Sequence, residues 1–190
     1  MATGQVSLTS KGGVWWRGGL VIIAVAAIFG AYFFPGCNPG TGGKVQTVKI
    51  GDKWFHLEVA DTDEIRMKGL GQRTHIEPDG GMLFLFTTPH TTAFVMRDCP
   101  IDIDIIYLDQ YGKVLASHQM KAEPPRDEAK GEGKVGDFGN DVYEKRLKPY
   151  PSRNPSQFVI ELKGGTLPSL NIKEGDKIDL PLAALKSRAK

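Results

Sequence analysis

The sequence predicts a mainly β (α+β) domain, compact and barrel-like or sandwiched, with one or two short helices, behind a single transmembrane helix. Three observations carry this reading. Short runs of β-branched and aromatic residues recur from Val45 to Leu180, the pattern of closely spaced strands. One capping signature, at Asp61–Glu64, marks a helix. An uncharged apolar run, Leu20 to Phe34, stands apart from everything after it.

In chain order, residues 1–13 read as a cytoplasmic tail. Residues 14–34, with Arg17 as their one charge, would extend about 31 Å as a helix and match a hydrocarbon core of ~30 Å. Trp15, Trp16, Tyr32 and Phe33 lie near the two ends, where aromatic rings favour the headgroup level. Pro35 blocks continuation. A cleaved signal peptide with Cys37 as a lipidation site is the rival reading, but the apolar run is long for one. Lys11 and Arg17 flank the start of the span with no acid before it. The N-terminus is therefore expected in the cytoplasm, and the domain on the periplasmic side of the inner membrane.

Residues 35–44 form a Gly/Pro tether, and residues 45–185 form the domain. Strands are expected at Val45–Ile50, Trp54–Ala60, Met82–Phe86, Ala93–Met96, Ile103–Leu108, Val114–Met120, Phe158–Leu162 and Lys177–Leu180. A helix is expected at Thr62–Leu70, capped by Asp61 with Glu64 reaching back and ended by Gly69 and Gly71. A further turn of helix follows Gly165. Residues 121–157 break the pattern, being rich in Pro, Gly and charge. A connection of that length is either a floppy loop or a functional arm. Phe138, Tyr143, Leu147 and Tyr150 are apolar handles suited to a docking arm.

The balance of 24 basic to 22 acidic residues gives no case for nucleic acid as a partner. Two cysteines, Cys37 and Cys99, cannot make a zinc site alone or a disulfide scaffold. His56, His75, His90 and His118 lack metal-ligand spacing. No phosphate loop or nucleophile elbow is present. No cofactor or metal is expected, and no catalytic residue can be named.

The segment FVMRDCPIDIDIIYLD, Phe94–Asp109, carries four aspartates. Asp102 and Asp104 alternate with Ile101, Ile103 and Ile105, so the acids share one face of a strand. That face reads most simply as solvated. Asp104 is expected to be structural, making a hydrogen bond or an ion pair with Arg66 or Arg73, because an isolated buried charge is very costly.

Four blocks carry a resemblance: RMKGLGQR (66–73), GMLFLF (81–86), FVMRDCPIDIDIIYLDQYGKV (94–114) and FVIELKGGTLPSLNIKEGDKI (158–178). In content and order the chain resembles the DUF192 (UPF0127) family of small β-rich domains, which implies the fold without implying an activity. Met96 and Asp104 match the family pattern. Arg97, Asp98, Cys99 and Asp102 stand where the family usually has lysine, asparagine, threonine and proline, which changes the lining of any shared pocket.

Two function classes follow. In the first, the protein is a non-catalytic accessory subunit, held by the bilayer and docked on other subunits of a membrane complex, respiratory or photosynthetic. Ala26 and Gly30, with Ala27 and Ala31, would pack the span closely, and Phe138, Tyr143 and Tyr150 would anchor the arm. In the second, a tethered enzyme or small-ligand-binding domain gathers Arg66, Arg73, Asp98, Asp102 and Asp104 around a pocket beside the GMLF strand. A pocket enclosing a perturbed carboxylate favours this second class.

Overall fold

A computed structural model describes residues 45–190. The expected tail, span and tether, with Ala26 and Gly30, lie outside the described residues. Among the described residues no helix is long and apolar enough to cross a membrane.

The elements run β1 (Val45–Ile50), β2 (Lys53–Ala60), α1 (Asp63–Lys68), β3 (Gly80–His90), β4 (Ala93–Phe94), β5 (Ile103–Leu108), β6 (Val114–Met120), α2 (Asp141–Arg146), β7 (Tyr150–Pro151), β8 (Ser156–Lys163) and α3 (Leu182–Arg188). Single 3₁₀ turns lie at Glu128–Lys130 and Leu167–Ser169. Six strands form one mixed sheet in the order β1-β2-β3-β8-β5-β6, and β4 and β7 form a separate ribbon. Only β2 and β3 pair in parallel, with α1 in the crossover between them, as a parallel connection needs.

This sheet is open, not the closed barrel or sandwich expected. Its edges, β1 and β6, do not pair with each other. Burial comes instead from covering both faces, the layered solution to an amphipathic sheet. On one face Leu57, Leu83, Ile106 and Ile160 pack with Leu170, Ile178 and Leu185 from the C-terminal segment. On the other, Met82, Phe84, Ile105 and Val159 pack with Leu70, Met96 and Tyr150.

Local details correct two expectations. Thr62, not Asp61, caps α1, its Oγ1 accepting the Ile65 N–H at 3.5 Å. Asp61 takes Arg188 of α3 instead, at 3.1 Å. The strand expected at Lys177–Leu180 reduces to a single bridge between Lys177 and Lys113, because the chain crosses the start of β6 and turns into α3.

Residues 121–157 are folded onto the domain. Tyr143 and Tyr150 are 1% and 5% exposed, so neither is available to an outside partner as expected of a docking arm; Phe138 remains half exposed. Bidentate ion pairs hold the segment down. Arg126 donates to both carboxylate oxygens of Asp98 at 2.7 and 3.0 Å. Arg97 does the same to Glu144 at 2.6 and 2.7 Å, and Arg146 to Glu132 at 2.7 and 3.0 Å. Between them, the Tyr143 ring carries the guanidinium groups of Arg126 at 3.8 Å and Arg146 at 4.8 Å, a cation–π arrangement.

The Asp98 and Arg126 side chains are only 6% and 2% exposed. Removing one partner of such a pair leaves a buried, uncompensated charge and costs about 3–5 kcal/mol. Arg126→Met is therefore expected to lower the melting temperature. It should also raise amide hydrogen exchange through residues 121–147 while leaving β3, β5 and β8 protected. Unchanged exchange in the arm would show that this pair does not hold it.

Candidate functional site

None of the four aspartates in Phe94–Asp109 faces a shared pocket. β5 is a central strand between β8 and β6 and is buried along its whole length, so Asp104 leaves the expected solvated face while Asp102, just before the strand, stays partly exposed. Each carboxylate instead fastens a neighbouring piece of chain. Asp98 holds Arg126 and also accepts the Gly136 N–H at 3.0 Å. Asp102 accepts from Lys121 Nζ at 2.7 Å and from the Ala122 N–H at 2.9 Å. Asp104, 1% exposed, accepts the Leu167 N–H at 2.6 Å and so secures the 3₁₀ turn. Asp109 accepts from the N–H groups of Tyr111 and Lys113 in the β5–β6 turn.

Of the two structural roles expected of Asp104, the hydrogen bond is the one seen, to a backbone donor, and neither arginine pairs with it. Arg73 pairs with Glu58 on β2. Arg66 donates to Asp63 at 2.6 Å, to the Leu85 carbonyl at 2.7 Å and to the Lys190 carbonyl at 2.6 Å. Of the five residues expected around a pocket, Arg66 alone lines the cleft described next.

That cleft, of about 420 Å³, lies between α1 with its exit and the chain from β4 to Cys99. Such a volume is within the range of small-molecule sites. Phe84, Phe86 and Phe94 form apolar wall, Phe84 and Phe94 edge to face at 5.0 Å. The Arg66 guanidinium lies over Phe86 at 5.5 Å. The far wall, Met96 to Cys99, is the stretch that the arm grips through Arg97 and Asp98. It is also tied to α1's exit by the Gln72 N–H donating to the Asp98 carbonyl at 2.8 Å.

Glu161 forms part of the lining. It lies in β8 opposite Met82 of β3 and Ile105 of β5, flanked in sequence by Ile160 and Leu162, which point to the other face. It is 6% exposed. Its Oε2 is buried without a hydrogen-bond partner. Burial pushes its pKa up to about 8 against an ordinary 4.5, with Leu70 and the Arg73 charge opposing only in part. Glu161 is thus held toward its neutral form at neutral pH.

Gly69 lies against it. The chain leaves α1 there with φ 51°, a conformation that favours glycine. A Cβ at Gly69 would sit 3.4 Å from the Phe84 ring and 3.7 Å from Glu161 Oε2. Cys99 also lines the cleft, but burial pushes its thiol up to about 11, which removes the thiolate a nucleophile needs. Among the described residues, no three His, Cys, Asp or Glu side chains converge as metal ligands.

Sequence reading passed over Glu161 because it looked for acids clustered along the chain. The available signal was the acid interrupting FVIEL, where every neighbour is apolar.

An open mixed sheet, covered on both faces, with a cleft of mixed polar and apolar lining beside a buried acid, defines a small α+β domain. The chain belongs to the DUF192 family (Uncharacterized ACR), whose sequence pattern it matches over residues 46–180. It is similar to the crystal structure of a protein of unknown function from Novosphingobium aromaticivorans DSM 12444. The two are 28% identical with a TM-score of 0.58, over 76% of this chain and 91% of that one. A candidate transcription regulator from Sinorhizobium meliloti 1021, 22% identical with a TM-score of 0.56 over 73% of this chain and 95% of that one, shares the fold. No curated protein matches the chain.

The raised pKa has a definite sign for stability. Below pH 4.5 Glu161 is neutral folded or unfolded; between 4.5 and about 8 the unfolded chain ionises it and the folded chain does not. The unfolded state then binds fewer protons, so this group makes stability fall across that window and level off above it. Glu161→Gln removes the effect. Its stability relative to the parent is expected to rise between pH 5 and 8 by up to about 1.4 kcal/mol per unit, measured by urea denaturation. A pH-independent difference would contradict a buried neutral acid.

Proposed function

We propose that this protein is a small-ligand-binding domain, with its site in the cleft between α1 and the Phe94–Cys99 segment. The observation that carries the reading is Glu161: a buried carboxyl with an unpartnered oxygen, in the lining of a ligand-sized cleft whose walls are part polar and part apolar. A buried polar atom without a partner costs free energy, and a polar ligand group that hydrogen-bonds the carboxyl offsets it. The reading is binding rather than catalysis. Cys99 lacks thiolate character, and Arg66 and Arg97 are already committed to carboxylates.

An accessory role on a membrane complex is a second reading. Tyr143 and Tyr150 no longer support it, being buried within the domain. Val135, Phe138 and Val142 do: all three are exposed, on one short stretch of the arm. The expected inner-membrane anchor and periplasmic location belong to this proposal and are compatible with the first.

Met67 and Met96 line the cleft, whereas Met120 packs in the core at the far edge of the sheet. A chemically diverse fragment set screened by methionine-methyl NMR on the full chain is expected to give binders that shift Met67 and Met96 and spare Met120. Ala93→Trp, which sets an indole in the cleft lining, should abolish those shifts. A diverse set that leaves Met67 and Met96 unmoved would refute the binding reading.

A further inference from the structure

Apart from the cleft beside Glu161, we propose that the free edge of β6 is a docking groove for an extended peptide of alternating acidic and aliphatic residues, which adds to the sheet as a further strand.

The first observation is an unused row of peptide groups. In an antiparallel pair, successive residues turn their N–H and C=O groups alternately toward the partner strand and away from it. The Gly164 N–H donates to the Asp102 carbonyl at 3.0 Å. Asp102, Asp104 and Ile106 therefore turn toward β8, and Ile103, Ile105 and Tyr107 toward β6. In the β5–β6 register those three meet Met120, His118 and Ala116. The N–H and C=O groups of Ser117 and Gln119 are left pointing away from the sheet. Lys121 has the same phase, its N–H donating outward to the Tyr150 hydroxyl at 3.2 Å. At the other end Val114 is taken by the Asp176 carbonyl and the Gly175 N–H, at 2.8 and 2.9 Å. Between these stops, Ser117 and Gln119 lie about 7 Å apart, the repeat that an added strand meets. β6 carries no lysine, acid or proline, the usual means of blunting an exposed edge.

The edge is also walled. Ser117, His118 and Gln119 line a groove of about 700 Å³. One wall is Leu167, Pro168 and Ile172, of which Leu167 and Ile172 pack on one face of the sheet. The other is Lys148 to Pro151 with Arg153, and its Tyr150 packs on the opposite face. Pro149 and Pro151 have no N–H to donate, and this stretch pairs with β4 rather than β6. It touches β6 through a side chain, His118 Nε2 donating to the Pro151 carbonyl at 2.8 Å. An extended segment sends successive side chains to opposite sides, one set to each wall.

The walls differ in chemistry, and the difference selects the occupant. Leu167, Pro168 and Ile172 are apolar. The facing wall carries Lys148 and Arg153, and no Asp or Glu lines the groove. Arg153 is paired with Glu174 at 3.1 Å. Lys148 lies over the Tyr150 ring at 4.9 Å and joins none of the ion pairs that fasten the arm. It is the cation that meets a carboxylate of the peptide. Strand addition draws affinity from main-chain hydrogen bonds and specificity from alternate side chains. A second copy is the poorer occupant, because the same walls flank β6 in each copy and hold the two edges apart.

The probes are acetyl-Val-Glu-Val-Glu-Val-amide, its counterpart with lysine for glutamate, and the acidic peptide methylated at every backbone nitrogen. Each is added to the ¹⁵N-labelled full chain, and amide hydrogen exchange is read residue by residue. At about ten times its Kd, the acidic peptide is expected to slow exchange at Ser117 and Gln119 about tenfold. Exchange in β1, the other edge of the sheet, should not change. The lysine peptide should bind about tenfold more weakly or worse, and the methylated peptide should give no protection. Lys148→Glu, at an exposed position, is expected to reverse the preference between the two charged peptides.

Unaltered exchange at Ser117 and Gln119 with the acidic peptide would overturn the proposal. Equal protection by the lysine or the methylated peptide would overturn it too, as would an unchanged preference in Lys148→Glu. Protection that grows with protein concentration and needs no peptide would replace the peptide by a second copy.

Discussion

The buried ion pair between Asp98 and Arg126 is the contact through which the rest of the domain is organised. Asp98 sits at a left-handed backbone angle, φ 49°, in the turn between β4 and β5. Its N–H donates to the Tyr143 hydroxyl at 2.9 Å, and its carboxylate takes both Arg126 and Gly136. Burial alone would raise the Asp98 pKa, but the Arg126 guanidinium and the Gly136 N–H outweigh it and hold the carboxyl below its usual range. Arg126 also donates to the carbonyls of Glu132 and Asp137. One guanidinium therefore joins the sheet to three points of a segment rich in glycine and proline. A buried pair of this kind adds little net stability over an apolar substitute, yet breaking it is expensive. Its use here is to specify where the arm lies.

That placement shapes the cleft. The stretch from Met96 to Cys99 is clamped on one side by α1's exit, through Gln72, and on the other by the arm, through Arg126 and Glu144. A cleft wall built from a loop needs such support, because loops are the most mobile part of a fold. The floor is different in kind. Glu161 belongs to a central strand and is held rigidly, at an energetic cost: a carboxyl in this position destabilises the fold through neutral pH. Local rules are broken in this way mostly where function requires it, and the buried Glu161 carboxyl with its unpartnered Oε2 is such a break.

Much of the sheet was legible in the sequence. The bounds of Val45–Ile50, Ile103–Leu108 and Val114–Met120 emerged as expected because alternation and β-branched content agree there. Phe158–Leu162 was recognised as a strand for the same reason. Closure was not legible, since whether β1 meets β6 depends on how the faces are covered, and α3 contributes to that cover. The arm was misjudged because its composition resembles a solvated loop. Its order comes from arginine–carboxylate pairs between residues far apart in sequence, such as Asp98 with Arg126 and Arg97 with Glu144. The site was the least legible part. Four aspartates close together suggested chemistry and turned out to fasten backbone, while the acid facing the cleft stands alone in FVIEL. Strand pairing, not sequence proximity, brings Glu161 beside Leu70 and Phe84.

The account joins two claims: Glu161 is a buried neutral acid, and the arm keeps the wall that excludes water from it. The most direct measurement is a ¹³C NMR titration of the Glu161 side-chain carboxyl in the parent and in Arg126→Met, each in the folded state. The parent is expected to titrate near 8, and the variant to titrate lower as the loosened wall admits water. A parent midpoint near the ordinary 4.5, or a midpoint unmoved by loss of Arg126, would contradict it.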